Sequence, residues 1–142
     1  GMLCVGPESA GALPGPACYG RGGTQVTVSD ANLYLGRIST EHFLAGGMVL
    51  DEGAANKALV ELAAQLDCTS QQAAEGVIDL ANEHMARALR VISIQRGIDP
   101  RPYALMTFGG AGGLHVCALA DALTMQTAIV PVNSGFCPPS AC

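Results

Sequence analysis

The chain reads as an α/β protein built around a long helix and a βαβ unit. Three features of the sequence point there. Apolar residues recur at helical spacing from Asp51 to Gly97. Two β-prone runs, Tyr103 to Phe108 and Thr127 to Val132, flank a third helical run. Between the first strand and that helix lies the cluster Gly109-Gly-Ala-Gly-Gly113, a turn signal where a strand would hand over to a helix.

The elements follow in order. Residues 6–23 carry so many glycines and prolines that no regular element fits, because Pro breaks helix interiors and dense Gly marks turns or close backbone approach. Thr24 to Val28 is β-prone, and Ser29-Asp30 signals the start of a short helix reaching about Gly36. Gly46 and Gly47 make a second turn. Asp51 and Glu52 sit at the electropositive start of a helix whose apolar stripe is Ala55, Ala58, Leu59, Leu62 and Leu66. Thr69 and Gln72 stand at capping-box spacing and open a second helix. Its stripe runs through Ala74, Val77, Ile78, Ala81, Met85, Ala88, Leu89 and Ile92, and Gly97 stands at the C-terminal stop. At 1.5 Å per residue that helix is about 40 Å long, more than a small globule covers. The final strand, glycine turn, helix (Leu114 to Leu123) and strand form a βαβ unit, which requires parallel strands.

Composition narrows the function classes. In 142 residues, Lys and Arg total 7 against 12 Asp and Glu, for a net charge of −5. With no cationic run, nucleic acid and anionic membrane are poor partners. No apolar stretch approaches the roughly 20 residues needed to span a bilayer. The expectation is a soluble, cytoplasmic chain. Six cysteines without a C-x-x-C pair argue against structural zinc and for free thiols, so no metal site is assigned.

The glycine turn is the main chemical signal. A backbone without Cβ atoms can offer N–H groups to an anion or nucleotide, yet it serves tight helix–strand packing equally well, and the residues leave both open. It is not a dinucleotide fingerprint, since His115 occupies the third glycine position, nor a P-loop, since the single lysine is Lys57. A dinucleotide-dependent oxidoreductase is disfavoured on that ground. His115 at the mouth of the turn can donate to a ligand, the plainer alternative being a packed side chain. The candidate cofactor-binding residues are therefore Gly109, Gly110, Ala111, Gly112, Gly113 and His115. His42 and His84 read as structural. Asp30 reads as a helix N-terminal residue rather than a catalytic carboxylate, lacking a second carboxylate nearby. Arg87, Arg90 and Arg96 read as a solvated face. No serine has a nucleophile-elbow context, and catalytic residues remain unassigned.

Four motifs together resemble the hydantoinase A/5-oxoprolinase family. They are the run from Gly6 to Thr24 (Gly-Pro-Glu-Ser-Ala-Gly-Ala-Leu-Pro-Gly-Pro-Ala-Cys-Tyr-Gly-Arg-Gly-Gly-Thr), Val28-Ser-Asp-Ala-Asn-Leu33, the stretch Ala81-Asn82 to Met85-Ala-Arg-Ala-Leu-Arg90, and Phe108-Gly-Gly-Ala-Gly-Gly-Leu-His115. The long first motif is highly specific, and the order is the family's. The resemblance implies a two-lobed actin-like fold of the acetate- and sugar-kinase type. It also implies ATP with Mg as cofactors, phosphorylation of an amide or carbonyl oxygen, and cyclic-amide ring opening or ketone carboxylation. A hydantoinase B-type partner subunit or self-association is implied as well.

Residues 1–135 then correspond to the later part of a hydantoinase A domain, with a motif region at 5–36, a helical pair at 51–97 and the βαβ unit at 103–132. Gly109 to His115 corresponds to the turn against the adenosine. The Asp-x-Gly-Gly-Thr phosphate motif of such folds is absent, so the chain alone is expected to be inactive. The rival expectation is a non-catalytic module that binds a partner subunit. Two departures stand out. Gly113 replaces a proline of the family pattern. From Gly135 the chain reads Gly-Phe-Cys-Pro-Pro-Ser-Ala-Cys142 in place of a Gly-Val-Leu-Ser-Ala-Leu-Gly-like segment. Deleting one nucleotide from codons for such a segment, continued by Met and the first base beyond it, yields Gly135 to Cys142, so residues 136–142 are expected to be a frameshifted, non-native tail.

Overall fold

The computed structural model describes residues 3, 5–6, 8–40, 47–108 and 111–131. Its compact units divide the chain at Ala81/Asn82. The expected frameshifted tail at 136–142, together with Gly109, Gly110 and His42, lies outside the described residues.

The first unit is helical. Among the described residues, its Gly/Pro-rich segment contains a single 3₁₀ turn, Ala17–Tyr19, and otherwise runs without regular structure. The close approach that the glycines suggest is real at Gly23, where an added Cβ would lie 2.1 Å from the Gly15 carbonyl oxygen. The β-prone run Thr24 to Val28 does not become a strand. Instead Thr27 is the N-cap of helix α1 (Val28–Tyr34), two residues earlier than the Ser29-Asp30 start signal suggests. The flanking Val26 and Val28 pack onto the helical core, so their apolar side chains are used without a sheet.

Helix α2 (Glu52–Leu66) begins as expected, with Asp51 accepting a hydrogen bond from the Ala54 N–H at 3.0 Å. Helix α3 (Ser70–Gln95) opens on the anticipated capping box. The Gln72 N–H donates to Thr69 Oγ1 at 3.1 Å, and the Thr69 N–H donates to Gln72 Oε1 at 3.0 Å. The core consists of Ala31, Leu59, Ala63, Ala73, Ala74 and Ile78. Alanine dominates it, and small side chains let helix backbones approach closely around Leu59, the largest fully buried side chain among the described residues.

The stripe along α3 is covered at Ala74, Ile78 and Ala81 and then emerges: Ala88 is exposed where its neighbour Ala86 is buried, and Ile92 is 51% exposed. Gly97, at φ +64°, ends the helix, donating its N–H to the Ile94 carbonyl while Ile98 donates to Ser93.

The second unit contains the βαβ connection. Strands β1 (Ala104–Met106) and β2 (Thr127–Ile129) are parallel, pairing Leu105 with Ala128, and helix α4 (Val116–Ala122) packs on both. Each element is shorter than the sequence suggests. The helix begins at Val116 rather than Leu114 because residues Ala111–Leu114 wind as a 3₁₀ turn. His115 is thereby the residue before the first helical turn and not one turn inside it. Arg90 is not simply solvated: its guanidinium donates to the Ala122 carbonyl, placing a cation at the electronegative end of α4. Arg87 does stay in solvent, beside Glu83 at 3.8 Å.

Candidate functional site

Two constellations gather polar groups away from water, one in each unit. In the first, Asp30 is fully buried at the third position of α1. Its Oδ2 accepts from the Thr27 N–H at 2.8 Å, the Thr27 hydroxyl at 2.8 Å and the Ala17 N–H at 3.3 Å. Its Oδ1 accepts from the Cys18 N–H at 2.7 Å. A buried carboxylate is costly unless hydrogen-bonded, and here main-chain donors do that work.

Asp30 is thus the helix-start residue that the sequence suggests, and in addition it holds the 3₁₀ turn of the Gly/Pro-rich segment. The turn is tied on its other side too, since the Asp51 N–H donates to the Cys18 carbonyl at 2.8 Å. Burial pushes the Cys18 thiol well above its ordinary range, and the neighbouring Asp30 carboxylate adds to the shift. Such a thiol stays protonated and unreactive. Cys18 and Cys68 are free as expected, whereas Cys117 departs from that expectation, its sulfur being in a disulfide.

Beside this anchor the first unit has an open cleft of 730 Å³. Val26, Leu62, Val77 and Leu80 contribute its apolar wall, and Glu8 and Glu61 carry its negative charge.

The second constellation contains the glycine turn. Ala111, Gly112 and Gly113 lie in the 3₁₀ turn before α4, and Gly113 is buried. His115 is only 5% exposed. Its Nδ1 lies 2.7 Å from Oδ1 of Asn82 on α3. The structure therefore joins two separate sequence motifs, the one beginning Ala81-Asn82 and the one ending at His115. Asn82 is the residue that sequence reasoning missed as a site member. Helical position 82 is 33 residues from His115, and no local pattern links the two. An amide oxygen only accepts, so in this contact Nδ1 donates to Asn82. His84 is exposed, as a structural reading allows. Among the described residues, no group of three or more His, Cys, Asp or Glu side chains is arranged to hold a metal ion. No described helix is long and apolar enough to cross a membrane.

A helical unit with a buried main-chain-binding carboxylate and a βαβ unit with a histidine-closed glycine turn define a mixed helix-and-sheet segment of an α/β protein. The chain belongs to the hydantoinase/oxoprolinase family, whose sequence profile matches residues 1–142. It is 46% identical over 139 residues to the caprolactamase subunit alpha of Pseudomonas jessenii, covering 96% of this chain and 20% of that one. It is 40% identical over 141 residues to the 5-oxoprolinase PfmaA of Pestalotiopsis fici, covering 92% of this chain and 11% of the relative. The fold matches the crystal structure of the ATP-dependent caprolactamase from Pseudomonas jessenii with a TM-score of 0.85. It also matches nucleotide-free acetone carboxylase at a TM-score of 0.79 and 31% identity, over 92% of this chain and 19% of that one. The chain thus spans a fifth or less of the length of these relatives.

Proposed function

We propose that the chain is one segment of a subunit that uses ATP to activate a cyclic amide for hydrolytic ring opening, and that residues 109–115 face the adenosine. The observation that carries this reading is the likeness to an ATP-dependent caprolactamase, 46% identical with a TM-score of 0.85 over 96% of the chain. The parent fold on this reading is the two-lobed actin-like ATPase. ATP supplies the phosphoryl group that makes an amide oxygen a leaving group. What supports that placement is the 3₁₀ turn that holds Gly112 and the buried Gly113, with the buried His115 directly after it. Mg is assigned to no described residue.

The absence of an Asp-x-Gly-Gly-Thr motif makes this chain inactive alone, with the phosphates gripped elsewhere in the subunit. A hydantoinase B-type partner, or a second copy of the chain, and a cytoplasmic location go with this reading. The caprolactamase relative is named as an alpha subunit, which suits a multi-subunit enzyme. A ketone carboxylase subunit is the second reading, supported by the likeness to acetone carboxylase.

The test is to express the subunit that carries this segment with its partner and assay ATP-dependent turnover of caprolactam, hydantoin, 5-oxoproline and acetone. Ring opening with ADP formation is expected, and Gly112→Val is expected to raise KM for ATP at least tenfold. Bicarbonate-dependent consumption of acetone alone would select the second reading. Absence of nucleotide-dependent turnover on every substrate would remove both.

A further inference from the structure

We propose that Arg90 is a positioning residue for the glycine turn and acts on it through α4: together with Asn82 it clamps α4 to α3 at both ends. Two hydrogen bonds carry the inference. At the start of α4, His115 Nδ1 donates to Asn82 Oδ1 at 2.7 Å. At its end, the Arg90 guanidinium donates to the Ala122 carbonyl. Asn82, Ala86 and Arg90 are spaced i, i+4, i+8 along one row of α3, with Ala86 between them fully buried. Helical rise puts Asn82 and Arg90 about 12 Å apart along α3, and His115 and Ala122 about 11 Å apart along α4. The two contacts therefore match in span, and the two helices run in the same direction.

Arg90 also completes the end of α4. The Ala120 carbonyl accepts from the Met125 N–H, and the Asp121 carbonyl from the Leu123 and Thr124 N–H groups. The Ala122 carbonyl is taken by the Arg90 side chain, which brings its charge to the electronegative helix end. A helix of seven residues is too short to hold its shape by itself. Its apolar packing on the strands is non-directional, whereas hydrogen bonds at both ends fix how far it slides and turns. The glycine turn inherits that position. Gly112 and Gly113 have no side chains to lock it, and His115 joins it directly to α4. The consequence for a ligand rests on the nucleotide reading above: with α4 loose, the main chain of the turn is no longer held against the nucleoside.

The first test is hydrogen–deuterium exchange of the full chain, read by mass spectrometry. Arg90→Leu removes one charge-assisted hydrogen bond and is expected to speed exchange about tenfold in residues 111–122, and hardly at all in α2. Arg90→Lys, which keeps a cationic donor, is expected to stay within threefold of wild type. Arg87→Leu, on the same helix but beside Glu83 in solvent, is expected to match wild type. Arg90→Gln, shorter and uncharged, replaces Arg90→Leu if the latter does not fold. Unchanged exchange in residues 111–122 overturns the proposal. So does an acceleration confined to residues 119–123 with the turn at 111–115 unaffected, since Arg90 would then cap a helix end and position nothing.

The second test uses the whole subunit with its partner and separates the clamp from the nucleotide reading. Arg90→Leu is expected to raise KM for ATP about tenfold with kcat within twofold of wild type, and Arg90→Lys to bring KM back to within threefold. An unmoved KM in a subunit whose α4 exchange has quickened overturns the positioning role. A wild-type subunit that binds no ATP, beside the exchange pattern expected above, leaves the clamp standing and sinks the nucleotide reading.

Discussion

Replacing Asp30 by Asn is the most informative single change, because it alters one atom and leaves the shape almost intact. The carboxylate accepts four hydrogen bonds, one on Oδ1 and three on Oδ2. An amide has one oxygen. Either the Cys18 N–H or the Thr27 and Ala17 N–H groups must then face an NH₂ group. An unsatisfied buried donor costs about 1–3 kcal/mol, and the surviving bonds lose their charge assistance, so the total is about 3 kcal/mol. At about 1.4 kcal/mol per tenfold, local opening of the 3₁₀ turn becomes about a hundredfold more frequent.

Cys18 reports this opening directly, since its thiol is buried in the same turn. Labelling by a maleimide in native buffer, located by mass spectrometry, is expected to speed up by that factor at Cys18 and by far less at Cys68. Thr27→Ala removes the hydroxyl alone, costing about 1 kcal/mol and a roughly fivefold change, and serves if Asp30→Asn does not fold. An Asp30→Asn protein whose Cys18 labels within threefold of wild type would refute the claim that the carboxylate holds the turn.

Three further outcomes are expected. Gly23→Ala forces a Cβ to 2.1 Å from a main-chain oxygen, which no side-chain rotation relieves. It should open the 15–23 segment and lower the urea midpoint, and an unchanged midpoint would show that the segment relaxes freely. Stability should fall as pH rises above 9.0, the ordinary value for a thiol. There the unfolded chain releases the Cys18 proton and the folded chain keeps it, at about 1.4 kcal/mol per pH unit. Cys18→Ser should remove that part of the slope in alkaline urea titrations, and an identical slope in both proteins would contradict it. Leu59→Ala, emptying the centre of the alanine-rich core, should cost about 2–5 kcal/mol in urea unfolding, with a loss under 1 kcal/mol counting against a shared core at that position.

What the sequence made legible was local chemistry. The Thr69–Gln72 capping box and the Gly97 stop are carried by residues a few positions apart, and the structure contains both. The order strand, glycine turn, helix, strand was readable for the same reason. The misreadings arise where tertiary contacts outrank local preference. Thr24 to Val28 has strand-forming residues, yet Thr27 does more by capping α1, and Val26 and Val28 bury against helices. Arg90 looks solvated on a helical wheel because nothing in its neighbourhood announces a carbonyl at Ala122. In the candidate site, His115 and its turn were visible from composition alone. Asn82 and the loop-binding role of Asp30 were not, because each acts across 12 or more residues of chain.

The Asp30 anchor has a consequence for how this region can change over generations. The carboxylate grips main-chain N–H groups, which every residue except proline provides. The instructions for the shape of the 3₁₀ turn are therefore stored in α1 and not in the turn's own outward-facing side chains. An exposed position such as Leu13, 75% exposed, is free to be rewritten without re-inventing the path of the backbone. A surface organised this way can acquire new chemical preferences one substitution at a time while its scaffold stays fixed.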